Sequence, residues 1–320
     1  MTKVNNPNLQ LPIDQYGRYK IVSDAIKKLA TKSTPITILD VGGYKGELYK
    51  FFDKNQAKII TLDLYDDDDE NYIKASALEM PFNDQEFDFV TTFEVFEHIH
   101  RPDREKFIKE CMRVCKGTFF LTAPFSSDKQ EVMDTEILVN DFWKSMYGTE
   151  HPWLKEHIEF GTPHINDLEK ILRANKLSFI KIGNNDLYWW NTMLSFNYIT
   201  TLFKGDGQNP EIQAFYNDHR EEIEEDATHF YRYIYAISNN SKNLKTVLVQ
   251  KKSNKTPSQK ERIKNELQNK INTQLAAYIQ DYKKAKQKEI TTIAKQLKER
   301  IEIYDELRAA YEELLAKQKR

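Results

Sequence analysis

The chain has 320 residues, 40% hydrophobic and 30% charged, which indicates one or two globular domains carrying an additional charged segment. Its net charge of −2 argues against the broad basic surface that nucleic-acid binding requires, so no nucleic-acid partner is predicted. With only Cys111 and Cys115, a disulfide framework is excluded, and we predict buried thiols in a cytoplasmic protein. We find no apolar secretory leader and no run of about 18 apolar residues, so no membrane span is predicted.

Short apolar runs alternate with helical patterns through residues 1–250, which we predict to form one domain. Strands are predicted at 37–41, 58–64, 87–93, 117–123, 177–182 and 245–251. Helices are predicted at 14–31, 46–55, 94–100, 103–115 and 165–175. This alternation is typical of an α/β, Rossmann-like fold with a mostly parallel sheet and helices on both of its faces.

The first predicted strand ends in Asp40 and runs directly into Gly42, Gly43 and Gly46. Glycines let a strand turn sharply into a helix while backbone N–H groups stay open to a ligand. Dinucleotide binders use G-x-G-x-x-G, which this sequence lacks, and the carboxylate of Asp40 would repel a phosphate. A cationic ligand without phosphate suits this turn better, which favours S-adenosylmethionine.

A second carboxylate, Asp63, ends the second predicted strand, seventeen residues past Gly46. Its two oxygens can accept hydrogen bonds from both hydroxyls of a ribose. The two acids therefore predict a nucleoside site at neighbouring strand ends.

With these motifs and those that follow, the sequence resembles class I S-adenosylmethionine-dependent methyltransferases. The likeness is greatest to the small-molecule branch that includes quinone-biosynthesis C- and O-methyltransferases. It rests on the glycine turn, on Asp63, and on the stretches "MPFNDQEFDFV", "FEVFEHI" and "ECMRVCKGTFFLTAPF". It covers about residues 14–182 and the predicted strand 245–251, and it implies a seven-stranded sheet. Tyr44 departs from the family pattern, because a glycine is usual there.

The resemblance implies a set of residues that bind S-adenosylmethionine. They are Tyr16, Arg18, Asp40, Gly42, Gly46, Asp63, Leu64, Ser76, Ala77 and Phe93. Asp63 would bind the ribose, Leu64 would pack against adenine, and Ser76 stands where an aspartate usually lies beside the adenine amino group. Either Tyr16 or Arg18 would hold the carboxylate of the cofactor.

Histidines are the candidate catalytic residues, because an oxygen acceptor must lose a proton before it accepts a methyl group. His98 follows the fourth predicted strand and is favoured, with His151 or His157 as competitors. A capping or other structural role for each histidine stays open. His151 and His157, in the pattern H-x-x-x-x-E-H, have a spacing that resembles that of metal ligands. No third ligand has an evident position, so no metal is predicted.

About 60 residues rich in aromatic side chains separate the predicted strands at 177–182 and 245–251. Connections of that length are uncommon in compact domains. We therefore predict an inserted helical subdomain at about 183–244. It would shape the acceptor pocket, or else form a small core of its own or a dimer contact.

The last segment contains no glycine or proline after Pro257, and its apolar residues recur three or four positions apart. This pattern predicts a linker at 251–259 and a long helical coiled coil at 260–320. A single long helix buries too little to be stable alone, so we expect self-association or binding to a partner protein.

Together, these patterns predict a methyltransferase that modifies an oxygen of a small molecule or a glycan terminus. The glycan, with a role in surface polysaccharide biosynthesis, is suggested by the aromatic insertion and the helical tail, which is an analogy of architecture. The alternative is a scaffold, in which a degenerate methyltransferase fold assembles partners through the coiled coil.

Overall fold

A mixed sheet lies at the centre of the computed structural model, which describes residues 6–30, 35–44, 46–53, 55–127, 131–204, 209–240, 244, 247–248 and 252–318. Its strands are β1 Ile36–Val41, β2 Ala57–Asp63, β3 Tyr72–Lys74, β4 Phe87–Phe93, β5 Cys115–Pro124, β6 Ser178–Asp186 and β7 Phe230–Ser238. The order is β3-β2-β1-β4-β5-β7-β6. Strand β7 runs antiparallel to both of its neighbours, and the remaining pairings are parallel. The predicted seven-stranded, Rossmann-like sheet is confirmed.

Helices cover both faces of this sheet. They are α1 Ile13–Leu29, α2 Arg104–Val114, α3 Glu131–Tyr147, α4 Pro152–Phe160, α5 Ile165–Ala174, α6 Leu187–Lys204, α7 Pro210–Asp218, α8 Arg220–Glu224 and α9 Pro257–Gln318. Short 3-10 helices lie at Pro7–Gln10, Leu48–Phe51, Phe96–His98 and Arg101–Asp103. Two apolar cores result, one containing residues of α2 and α5 and the other residues of α1. Strands β1 and β4 are buried along most of their length, as expected for central parallel strands.

The last strand of the sheet is not the one predicted from the sequence. The strand predicted at 245–251 lies mostly outside the described residues, and Val247 and Leu248 lie in a turn and a bend. Strand β7 instead uses residues 230–238, inside the range predicted for the insertion. Its side chains alternate between the two cores, with Tyr235 in one and Ile234 in the other, so the aromatic segment belongs partly to the sheet.

The predicted helix at 46–55 is only a short 3-10 helix, Leu48–Phe51. The side chain of its N-cap residue, Glu47, makes no capping hydrogen bond. Leu48 and Phe51 still reach the core on the α1 side, so the apolar pattern marks burial correctly although a regular α-helix does not form.

Helices α6, α7 and α8 form a layer that packs with the first part of α9. This helical layer shares an apolar core that includes Trp189, Tyr216 and Leu267. It also holds the start of α1, because the Ile13 N–H donates to Gln213 Oε1 at 3.0 Å. The helical layer thereby fixes the helix that carries two of the predicted cofactor residues.

Helix α9 has 62 residues and would extend about 93 Å. Its side chains Leu267, Ile271 and Tyr278 are buried. The apolar stripe then continues with side chains that are about half-exposed, namely Ile279, Tyr282, Ile290, Ile293, Leu297 and Ile301. The coiled coil stays a prediction. None of the helices in the described part of the chain combines the length and apolarity that crossing a membrane requires.

Candidate cofactor and acceptor site

The glycine turn lies where the order of the strands reverses, because β1 leads to β2 on one side and to β4 on the other. In open α/β sheets, ligands bind in the crevice at this point, beyond the carboxyl ends of the strands. Gly42 has a φ of +72°, and a Cβ at this position would overlap the side chain of Val95 after β4. Only glycine therefore fits both the backbone conformation and the space.

We expect Gly42→Ala to lower the free energy of unfolding by about 1–3 kcal/mol, because it adds both backbone strain and overpacking. Urea denaturation measures the loss. Gly148→Ala is the matched control, since Gly148 has a φ of +75° with open space around its Cβ position. Equal losses in the two variants would show that contact with Val95 contributes nothing.

Asp40 lies near the end of β1 and is only 3% exposed. Its Oδ1 accepts a hydrogen bond from Thr91 Oγ1 at 2.9 Å. Burial raises the pKa of Asp40 to about 7, against the opposing effects of Thr91 and Arg18, and the charge of Asp63 adds to the rise. A cation beside Asp40 would favour its charged form, so this carboxyl suits a ligand with an ammonium group.

Asp63 ends β2, across the glycine turn from Asp40. Its Oδ2 accepts a hydrogen bond from the Tyr44 N–H at 3.2 Å, and its Oδ1 accepts one from the Leu64 N–H at 2.6 Å. The carboxylate is therefore held by one N–H of the glycine turn and by the N–H of the residue that follows it. Leu64 and Tyr65 follow it with largely exposed side chains, which provides an apolar surface beside the acid.

The other predicted cofactor residues differ in how deeply their side chains are buried. Tyr16 is buried against Phe51, while Ser76 is exposed and its Oγ accepts a hydrogen bond from the Leu78 N–H at 3.2 Å. Ala77 packs against the core on the α2 side, and Phe93 packs edge-on against a tyrosine of α1. Their contacts with the cofactor stay predictions.

Arg18 is buried in α1, with its Nη1 3.7 Å from Glu94 Oε2. Burial alone would lower the pKa of Arg18, but Tyr19 and Glu94 outweigh it and raise the pKa. Among the described residues, Nε of Arg18 has no hydrogen-bond partner. A ligand carboxylate would satisfy this buried donor.

A second buried network lies beside the site and was missed by the sequence analysis. Arg232 of β7 donates to Glu94 Oε2 and to Asn185 Oδ1, each at 2.8 Å. Glu94 follows β4 with a φ of +58°, a backbone conformation that residues other than glycine rarely adopt. The positive φ and the ion pair with the buried Arg232 mark Glu94 as a functional candidate. The only sequence signal was its position in "FEVFEHI".

His98 and His157 lie together, with ring centroids 5.2 Å apart. Nδ1 of His98 is 2.9 Å from a carboxylate oxygen of Glu156, and Nδ1 of His157 is 2.9 Å from one of Glu136. One nitrogen of each ring and one carboxylate oxygen of Glu97 all lie within 4.8 Å of one another. The structure thus brings two of the three predicted histidines into one cluster.

The pKa values of the two rings are shifted in opposite directions. Burial lowers the pKa of His98, and the neighbouring His157 adds to the effect. Burial alone would also lower the pKa of His157, but its hydrogen bond to Glu136 outweighs burial and raises the pKa. Burial raises the pKa of Glu97 to about 8, with the charge of Glu94 as the second cause.

His151, the third predicted histidine, caps α4. Its Nδ1 accepts the Leu154 N–H at 3.4 Å, and its own N–H donates to Asn140 Oδ1 at 2.8 Å. Burial lowers the pKa of His151 to about 4. Its ring packs against Trp143. A catalytic role for His151 stays a prediction.

Comparison with known proteins also indicates a methyltransferase. A family model described as a methyltransferase domain matches residues 15–181, more than half of the chain. No curated protein sequence gives a match. The similar solved structures include YcgJ from Bacillus subtilis, with a TM-score of 0.39 and 16% identity over 69% of this chain and 99% of that chain.

Two further solved structures are ligand complexes. The phosphoethanolamine N-methyltransferase 2 of Haemonchus contortus, bound to phosphomonomethylethanolamine and S-adenosylhomocysteine, has a TM-score of 0.44 and 15% identity over 71% of this chain and 54% of that chain. The 1,6-didemethyltoxoflavin-N1-methyltransferase of Burkholderia thailandensis, with bound 1,6-didemethyltoxoflavin and S-adenosylhomocysteine, has a TM-score of 0.39 and 11% identity over 69% of this chain and 78% of that chain. These likenesses concern the fold alone.

A Rossmann-like sheet with an acid–glycine turn at its switch point is the fold of S-adenosylmethionine-dependent methyltransferases. The chain belongs to this methyltransferase domain family. Its cofactor is accordingly S-adenosylmethionine, as the sequence predicted. The buried acid Asp40 and the unsatisfied Nε of Arg18 fit the amino and carboxylate groups of this cofactor.

Proposed function

We propose that this protein methylates an oxygen of a small molecule or a glycan terminus, and that it is nearest to the small-molecule branch that includes quinone-biosynthesis enzymes. The observation that carries the proposal is the pair of carboxylates at neighbouring strand ends. Asp40 is buried beside the turn, and Asp63 is fixed by the Tyr44 and Leu64 N–H groups. This pair can bind the two ends of a cationic nucleoside, as the family requires.

Each group of the chain has a defined task in this proposal. Asp40 attracts the ammonium group of the cofactor, and Asp63 accepts hydrogen bonds from its ribose hydroxyls. Leu64 provides an apolar face for adenine, and Arg18 or Tyr16 holds the carboxylate. When bound, S-adenosylmethionine supplies a methyl group activated by its positively charged sulfur.

The histidine cluster supports oxygen as the atom that is methylated. A hydroxyl must lose its proton, and a histidine with a lowered pKa is neutral near pH 7 and can accept it. His98 has such a pKa, and its side chain is one-third exposed, so a substrate can reach it. His157 and His151 are the alternative bases, although both are more deeply buried.

We expect Asp63→Ala to weaken the binding of S-adenosylmethionine about 10- to 100-fold, because it removes hydrogen bonds to a charged group. Isothermal titration calorimetry with the purified chain measures the change. Asp68→Ala is the control, since Asp68 is exposed in the loop after the same strand. Unchanged affinity in Asp63→Ala would contradict the proposed ribose contact.

The same titration separates the enzyme from a scaffold, the second candidate function. The scaffold is favoured by the half-exposed apolar stripe of α9 beyond Tyr278, which we propose pairs with a second copy in a coiled coil. A pure scaffold would not bind S-adenosylmethionine at micromolar concentrations. A screen that follows S-adenosylhomocysteine production across sugars, lipids and phenols would then identify the acceptor class. Activity confined to amines would contradict methylation on oxygen.

A further inference from the structure

Glu97, His98 and His157 form a cluster that the cofactor roles above do not use. Glu97 and His98 lie in the 3-10 helix after β4, and His157 lies in α4. A nitrogen from each ring and an oxygen of Glu97 lie within 4.8 Å of one another. We propose that these three side chains bind one first-row divalent metal ion beside the acceptor. This goes beyond the sequence analysis, in which no third ligand was evident.

The carboxylate of Glu97 is the strongest observation for this site. Glu97 is 1% exposed, and among the described residues no group donates a hydrogen bond of acceptable geometry to either of its oxygens. None of the described lysines or arginines forms an ion pair with it, whereas Glu94 has Arg232. A buried carboxylate without a partner is unfavourable. A cation between Glu97 and the two imidazoles would supply the missing partner.

The surroundings of the two histidines support the same conclusion. Each ring has its Nδ1 next to a carboxylate, Glu156 for His98 and Glu136 for His157, both at 2.9 Å. Within the described part of the chain, this leaves the Nε2 atom of each ring for a further ligand. A carboxylate on the other ring nitrogen is the usual arrangement around metal-bound histidines, because it fixes the tautomer and strengthens the ligand.

Glu136 is itself fully buried and rigidly held. Its Oε1 accepts a hydrogen bond from the Tyr231 hydroxyl at 2.8 Å, and its Oε2 accepts one from Thr162 Oγ1 at 3.0 Å. These contacts come from β7 and from the segment after α4. The ring of His157 is therefore oriented by three separate parts of the fold, which is the degree of preorganisation that a metal ligand needs.

The donor set selects the metal. Two imidazoles and one carboxylate suit Zn²⁺, Mn²⁺, Fe²⁺ or Co²⁺, whereas Mg²⁺ and Ca²⁺ prefer oxygen ligands alone. Donors about 2.1 Å from one metal ion lie about 3.0–3.4 Å apart. The donor atoms lie within 4.8 Å of one another, and His98, with a side chain that is one-third exposed, can rotate to close the remaining gap of about 1.5 Å. Three protein ligands leave coordination positions open to a substrate.

The role of the metal ion rests on the proposed function, which is methylation of an oxygen. An open position would take a hydroxyl oxygen of the acceptor, and the metal ion would lower the pKa of that hydroxyl. The O–H bond breaks and its proton passes to water. The oxygen then forms the new bond to the methyl carbon, while the electron pair of the broken carbon–sulfur bond stays on sulfur. His98 and His157 act as metal ligands here, which replaces their role as candidate bases in the proposed function, and the acceptors favoured are alcohols or phenols with a second oxygen in chelating position.

The test uses the full chain, freed of metal with a chelator and titrated with Zn²⁺, Mn²⁺ and Co²⁺ in the absence of acceptor. We expect one equivalent of at least one ion to bind, with Co²⁺ giving visible absorption bands of nitrogen and oxygen ligation. Glu97→Gln and His98→Ala should each weaken binding at least 100-fold. His100→Ala is the control, because His100 is an exposed histidine in the same segment.

Two results would overturn the proposal. One is the absence of binding by all three ions, and the other is unchanged affinity in both Glu97→Gln and His98→Ala. Thermal melting shows whether the variants are folded, and His98→Ala removes a part-exposed side chain, so it should fold. Titration of the same samples with S-adenosylmethionine keeps the two proposals distinct. Cofactor binding without metal binding refutes the metal site alone, and the converse refutes the methyltransferase assignment alone.

Discussion

Arg232→Met is expected to lower the free energy of unfolding by about 2–4 kcal/mol, because it removes the closest cationic partner of Glu94 and leaves only Arg18, at 3.7 Å, beside this half-buried carboxylate. Arg232 is 2% exposed, and its guanidinium donates to Glu94 Oε2, to Asn185 Oδ1 and, at 3.1 Å, to the carbonyl of Asp14. Methionine keeps most of the apolar stem, so the loss reports the polar contacts. Urea denaturation followed by tryptophan fluorescence measures it.

A matched control separates burial from the mere loss of an ion pair. Arg101→Met removes a contact to Asp167 at 3.0 Å, but the Arg101 side chain is 75% exposed, so its loss should stay within about 1 kcal/mol. Adding Glu94→Gln to Arg232→Met should restore part of the stability, because it removes a carboxylate that has lost its closest cationic partner. Similar losses for Arg232→Met and Arg101→Met would refute this account of the network.

The Glu94–Arg232 pair also shows where reading the sequence reaches its limit. Asp40, Gly42 and Asp63 were identifiable because strand ends and tight turns have local chemical signatures. Arg232 is 138 residues from Glu94 along the chain. No local pattern links two such residues, and the position of Arg232 among aromatics pointed to an insertion. The long-range pairing is created by the position of β7 between β5 and β6.

Strands with a local sequence pattern were predicted for the same reason, whereas elements that depend on long-range packing were missed. Strands β1 and β2, which contain Asp40 and Asp63, begin and end within one residue of their predicted positions. Strand β7 was missed because aromatic residues fit a sheet that is buried on both faces as well as they fit a helical subdomain. Helices α3 and α4, which supply Glu136 and His157, carry no motif that marks them as part of a site.

Helix α9 is the case in which periodicity is right but incomplete. The apolar stripe predicts one face of a long helix, and the helix is present. Periodicity cannot reveal what covers that face. The structure covers Leu267 and Ile271 with the helical layer of α6–α8, and it leaves the side chains from Ile279 onward about half-exposed. The first part of the stripe therefore packs within its own chain, whereas the part from Ile279 to Ile301 does not.

Leu267→Ala is expected to lower the free energy of unfolding of the methyltransferase domain by about 2–5 kcal/mol. Leu267 is fully buried in the core that it shares with Trp189 and Tyr216, so the truncation leaves a cavity there. Chemical denaturation at several protein concentrations measures this loss. Because the contact is made within one chain, the loss should not depend on concentration.

Leu297→Ala makes the same chemical change on the same stripe, at a residue that is 57% exposed. In a single chain this truncation removes only a small buried area, so the stability of the domain should change by less than about 0.5 kcal/mol. If the outer half of α9 pairs with a second copy, the association constant should fall instead, as measured by analytical ultracentrifugation. A large, concentration-independent loss of stability in Leu297→Ala would contradict this division, because it would require the outer stripe to be buried within its own chain.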